Sequence, residues 1–106
     1  MGRVFIVQQN DRFVFTDAKR FGEVIYLQPF FNIDNAEQVQ TAIEEMGIKL
    51  EHFYRDEDYL LLNGDPILIA AAASLVSHLT NGCYSVLKWD RQKQQYYDLE
   101  LDLGET

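Results

Sequence analysis

Short apolar runs rich in β-branched and aromatic residues alternate along this chain with stretches whose apolar residues recur every three or four positions. The first kind predicts strands and the second helices. Arg3 to Gln8 (RVFIVQ) reads as a strand that stops at the turn-forming pair Asn10-Asp11, and Arg12 to Phe15 (RFVF) extends it or pairs with it. Thr16 resembles an N-cap for a single helical turn over Asp17 to Phe21, closed by Gly22. Glu23 to Gln28 (EVIYLQ) is a second strand, ended by Pro29. Phe30, Phe31 and Ile33 then pack down onto the core.

Asp34 or Asn35 caps a first helix over Ala36 to Met46, where Val39, Ala42, Ile43 and Met46 share one face and Gly47 suits the C′ position. Tyr59 to Leu62 is continuously apolar, as expected of a strand buried on both faces. Asn63-Gly64-Asp65-Pro66 breaks it, and Asp65 as N-cap with Pro66 at the first helical position starts a second helix, Ile67 to Thr80. That helix has almost no polar face and needs cover on more than one side. Asn81-Gly82 ends it. Cys83 to Trp89 is a strand, Asp90 to Gln94 a turn, and Gln95 to Leu103 the return strand. Its alternation predicts a dry face of Tyr97, Leu99, Leu101 and Leu103 and a wet face of Tyr96, Asp98, Glu100 and Asp102. The fold class is therefore α/β (α+β): a single mixed sheet of about five strands, packed by two helices and carrying a C-terminal β-hairpin. At 106 residues, one compact domain spanning 1–106 is expected.

Charge narrows the function. Seventeen acidic residues face nine basic ones, a formal net of −8. Nucleic-acid binders need a basic footprint to displace counterions, so direct contact with DNA or RNA is not expected. A single cysteine excludes an internal disulfide and fits a reducing compartment. The N-terminal apolar run is too short for a signal peptide, and Ile67 to Val76 is too short to span a bilayer. The expected location is the cytoplasm.

Catalytic and metal chemistry find little support. The two histidines, His52 and His78, make no i, i+4 pair, and Cys83 has no CxxC partner, so zinc spacing is missing. Cys83 with His78 as base and Asp90 as orienting carboxylate is a conceivable nucleophile, but the spacing does not demand it, and a small core residue is the simpler reading. Asp56-Glu57-Asp58 lacks the alternating oxygen ligands of a calcium loop and reads as a solvated charge run. No catalytic residue, metal or cofactor is expected. The junction Asn63-Gly64-Asp65 is a candidate ligand site, because ligands of α/β folds sit beyond the carboxyl ends of strands. No phosphate-binding fingerprint accompanies it, and Asp65 places a carboxylate where an anion would lie.

The hairpin offers more. With a four-residue turn, Trp89 stands across from Tyr96 on the face that also carries Asp98, Glu100 and Asp102. An aromatic pair beside an acidic ladder suits a protein partner with a basic surface. Ala70, Ala73, Ser74 and Ser77 form a small-residue side of the second helix through which a homodimer could pack.

Several segments carry a resemblance. Asp56 to Pro66 (DEDYLLLNGDP), Asn81-Gly82, Leu87 to Gln92 (LKWDRQ), Tyr96-Tyr97 and Phe21-Gly22-Glu23 resemble a family of small bacteriophage proteins frequent in marine and environmental viruses. Cys83 departs from that pattern, which has a basic residue after Asn-Gly. The resemblance implies a phage origin and expression in the host cytoplasm, and no mechanism. The expected function is that of an acidic, non-enzymatic accessory protein acting by protein–protein interaction, as a host-modulating or replication-associated binder. The alternatives are a small-molecule, nucleotide-binding or enzymatic domain using Asn63 to Asp65, and a minor structural protein of the virion.

Overall fold

The computed structural model describes residues 2–12 and 15–104. Five strands form one sheet: β1 (Arg3–Gln8), β2 (Glu23–Gln28), β3 (Tyr59–Leu61), β4 (Cys83–Asp90) and β5 (Gln95–Asp102), in the order β2-β1-β3-β4-β5. The first four are mutually parallel, and β5 returns antiparallel to β4. Two helices, α1 (Ala36–Leu50) and α2 (Pro66–Leu79), make the crossovers from β2 to β3 and from β3 to β4. The connection from β1 to β2 holds one 3-10 segment, Thr16–Phe21. The mixed five-strand sheet and two helices agree with the α+β class expected from the pattern.

Side-chain alternation sorts the sheet into two faces. Phe5, Val7, Leu27, Leu60, Tyr84 and Val86 meet the buried residues of α1 (Ala42, Met46, Leu50) and of α2 (Leu68, Ala72, Val76). Val4, Ile6, Leu61, Leu87 and Tyr96 point the other way, toward Phe15 and Ala18 of the 3-10 connection. Crossovers that travel in opposite directions thus lie on opposite faces, as crossovers of a single hand require. The connection leaving β1 runs to one side, to β2, and that leaving β3 runs to the other, to β4, which makes the space between β1 and β3 the topological switch point of the sheet.

Both helix starts follow from local chemistry. The Asn35 side chain accepts from the Gln38 N–H at 3.0 Å, and Asp65 Oδ1 accepts from the Ile67 N–H at 2.8 Å, with Pro66 in the first turn. The far end of α1 departs from expectation. The helix runs through Gly47 to Leu50, because Leu50 is fully buried and a stop at Gly47 would leave it outside the core. Thr16 opens the 3-10 segment rather than capping it. Of the segment Arg12 to Phe15, Phe13 and Val14 lie outside the described residues, Arg12 is in a turn, and Phe15 is buried. Strand β3 ends at Leu61, and Leu62 is exposed.

Asp56 and Glu57 are exposed, but Asp58 is 2% exposed and is not part of a solvated run. Its carboxylate accepts from the Arg3 backbone N–H at 2.9 Å, from Arg3 Nη2 at 2.9 Å and from the Tyr54 N–H at 2.8 Å. This buried charge is fully hydrogen-bonded, which is the condition for tolerating it. It ties the loop before β3 to the start of β1.

Nothing lies within 4 Å of where a Cβ on Gly47 would stand. Gly47→Ala should therefore raise stability by about 0.5–1 kcal/mol, since alanine loses less backbone entropy in a helix. A urea denaturation midpoint that failed to rise would show that this turn of α1 is not regular helix in solution.

Candidate functional site

The switch-point crevice contains the predicted junction, and the protein fills it from within. Gln8, the last residue of β1, is buried, and its Nε2 donates to the carbonyls of Pro29 and Phe31, both at 3.2 Å. Its Oε1 accepts from the Asp65 N–H at 2.9 Å. The Gln8 N–H donates to the Asn63 carbonyl at 2.9 Å, and Asn63 Nδ2 donates back to the Gln8 carbonyl at 3.0 Å. Gly64 passes over this amide at φ +136, and a Cβ there would stand 2.6 Å from the Gln8 Cβ. Only glycine accommodates that combination. The shallow space left outside, about 380 Å³, is bordered by Gln9, Asn10, Phe30 and Asn32. Asn63, Gly64 and Asp65 are thus brought together, with their polar groups turned toward Gln8 and the first turn of α2.

The hairpin assembles its candidate residues on one face. Register pairs Trp89 with Tyr96, Leu87 with Asp98, Ser85 with Glu100 and Cys83 with Asp102. The Trp89 and Tyr96 rings meet edge to face, with centroids 4.9 Å apart. Asp98, Glu100 and Asp102 follow at intervals of about 7 Å, twice the strand rise. The wet-and-dry assignment needs correction. Tyr96 is 7% exposed, because the 3-10 connection docks over it, and burial followed by the Asp17 charge raises its phenol above the ordinary value. On the opposite face Leu101 packs against the helix-side core, but Leu99 is 42% and Leu103 58% exposed. The two helices cover the inner strands and stop short of β5.

Two hollows flank the ladder. One, of about 230 Å³, lies beneath Asp98 and Glu100, with Arg55, Asp56, Cys83 and Ser85 in its walls. The other, of about 600 Å³, opens beyond Trp89 and Tyr96 over Leu61, Leu62 and Leu87, with Arg12 and Lys88 also lining it. Nothing in the strand pattern announced either hollow, since each joins residues from separate strands or loops.

The edge of β5 begins with a built stop. Asp17 Oδ2 accepts from the Tyr96 N–H at 2.6 Å, and Arg20 Nη2 donates to the Tyr96 carbonyl. Asp17 and Arg20 are themselves paired at 3.2 Å. The pair supplies one acceptor and one donor, as a neighbouring strand would. At the other edge of the sheet, the Lys49 ammonium donates to the carbonyls of Tyr26 and Leu27 at 2.9 and 3.3 Å.

The residues of the conceivable nucleophile are kept apart. Cys83 opens β4 on the face away from the helices, whereas His78 is exposed on α2. Asp90 closes the same strand, about 23 Å away at the usual rise per residue. The Cys83 thiol is raised above its ordinary value by burial, then by the hydrogen bond it donates to the Asp102 carboxylate and by that group's charge. Among the described residues, no three His, Cys, Asp or Glu side chains are placed to hold a metal ion. No helix among them is long and apolar enough to cross a membrane. On α2, Ala70 and Ser74 are exposed, Ala73 and Ser77 half-buried, and the Ser74 hydroxyl donates to the Ala70 carbonyl at 2.8 Å.

A family model described as phage Pam3 gp32-like protein matches residues 2–103. Neither the curated proteins nor the solved structures give a significant match.

Gln8→Leu keeps the volume but strands the Asp65 N–H and two carbonyls, and should cost about 2 kcal/mol in chemical denaturation. Unchanged stability would mean that water replaces the amide and that the crevice is open. A raised thiol pKa lowers the thiolate fraction, so iodoacetamide should alkylate Cys83 more slowly than free cysteine at about pH 8. Asp102→Asn should speed that reaction. An equal rate in both proteins would remove Asp102 from the cause.

Proposed function

The chain belongs to the phage Pam3 gp32-like family, and on that premise we propose that this bacteriophage protein works by binding a protein partner with a basic surface. The observation that carries the reading is the placement of Asp98, Glu100 and Asp102 in one row beside the Trp89–Tyr96 pair, on a strand that no helix covers. Carboxylates in a row steer a basic partner and fix its register. The polar hollow beneath Asp98 and Glu100 adds Asp56 to the acidic groups a cationic side chain of the partner would meet, in a space it would share with Arg55. The apolar hollow beside Trp89, 39% exposed, offers an anchor point at one end of the row.

The crevice at Asn63 to Asp65 supports the ligand-binding alternative less well. Its donors and acceptors are spent on Gln8 and on the cap of α2, so a ligand there would first have to displace the chain's own hydrogen bonds. The proposed role is non-enzymatic, and its proposed place of action is the cytoplasm of the infected host.

The test compares the tagged protein with the triple variant Asp98→Lys, Glu100→Lys, Asp102→Lys in affinity purification from infected cells. The wild type should hold a partner at about 0.05 M salt and release most of it at about 0.5 M, where screening is strong. The variant should capture at least about tenfold less, the order expected when complementary charge becomes like charge. Equal capture by both proteins would remove the acidic row from the interaction.

A further inference from the structure

We infer that β5 is completed by an added strand: an extended segment of the partner, with basic residues alternating with apolar ones, paired along Asp98 to Asp102. This inference rests on the interaction reading above and specifies how the contact is made.

The ladder register decides which backbone groups are free. The Leu103 N–H donates to the Gly82 carbonyl, so Leu103 and Gly82 form a hydrogen-bonded pair. Antiparallel pairs alternate in this respect. Tyr97, Leu99 and Leu101 therefore point their backbone groups toward β4, and Tyr96, Asp98, Glu100 and Asp102 point theirs outward. The outward groups of Tyr96 are taken by Asp17 and Arg20. Among the described residues no strand lies beyond β5, so the next rungs, at Asp98, Glu100 and Asp102, form the open part of the edge. The chain itself thus closes the first rung with a donor and an acceptor, and leaves the following ones available in the same geometry.

The side chains define what fits. An added strand sets its residues directly opposite those of β5, sharing their faces. Opposite Asp98, Glu100 and Asp102 it would carry Lys or Arg. On the other face it would lay apolar side chains against Leu99, Leu101 and Leu103, which α2 leaves partly or largely exposed. Edges guarded only against aggregation carry charge or proline and few apolar residues. Three leucines alternating with three acids instead offer both an apolar contact and a charge code. A second copy of this chain does not suit: pairing β5 with β5 would oppose carboxylate rows, in a protein of net charge −8. Strand addition of this kind draws affinity from main-chain bonds and specificity from alternate side chains.

The probe is a capped peptide, Lys-Val-Lys-Val-Lys-Val-Lys, with two relatives N-methylated on every lysine or on every valine. Side chains and charge are alike in all three, but each methylated form blocks one edge of the extended peptide. Titration calorimetry should show the parent binding the wild type and not the triple lysine variant. One methylated peptide should bind like the parent, and the other at least about tenfold more weakly, the factor for about 1.4 kcal/mol. The Glu100 amide should also exchange more slowly with solvent when the parent is bound. Two methylated peptides that behave alike, or a parent peptide that fails to bind, would overturn strand addition. The interaction reading would then stand or fall on the capture experiment with the triple variant.

Discussion

The arrangement depends on one buried amide. Gln8 ends the strand at which the sheet reverses its direction of crossing, and its side chain reaches the connection leading to α1 and the start of α2 at the same time. In a sheet with this strand order the crevice at that point is the natural place for a ligand. Here the chain's own amide supplies the hydrogen bonds a ligand would otherwise make, and Gly64 lies close enough over it to seal the arrangement. The fold thereby gains a fixed geometry between the end of β1 and two connections and gives up its most conventional binding position.

Recognition then falls to the periphery. Two helices on one face of five strands leave the outermost strand largely uncovered, and a single 3-10 segment on the other face reaches it at Tyr96. The two edges are treated differently. β2 is met by the Lys49 ammonium, whereas β5 is closed by side chains at its first outward rung and carries acids beyond it. This asymmetry, more than the count of acidic residues, separates the hairpin from the rest of an acidic surface.

Much of the fold was legible from local chemistry. The caps at Asn35 and Asp65 and the alternation of β5 act over a few residues, and a four-residue turn fixes the Trp89–Tyr96 pairing. What escaped the sequence acts over long separations. Asp58 reads as one of three solvated acids until Arg3, 55 residues away, is placed beside it. Tyr96 reads as exposed until Asp17, 79 residues away, docks against its backbone. Gln8 looked like the polar end of a strand, and no spacing showed that its amide would serve two connections at once. The acidic row was readable as a row, but its place on an open edge followed only from the strand order.

That strand order also bears on how the protein is made. β1 is an inner strand of the sheet, yet its neighbour β3 is encoded some 55 residues later. On the ribosome, an intensely apolar strand must therefore wait, with only β2 beside it, until more than half of the chain has been synthesised. Closing so long a loop is slow compared with forming the C-terminal hairpin. The first strand to be translated waits longest for its second neighbour, so the nascent chain, rather than the finished protein, is where a host chaperone has most to shield.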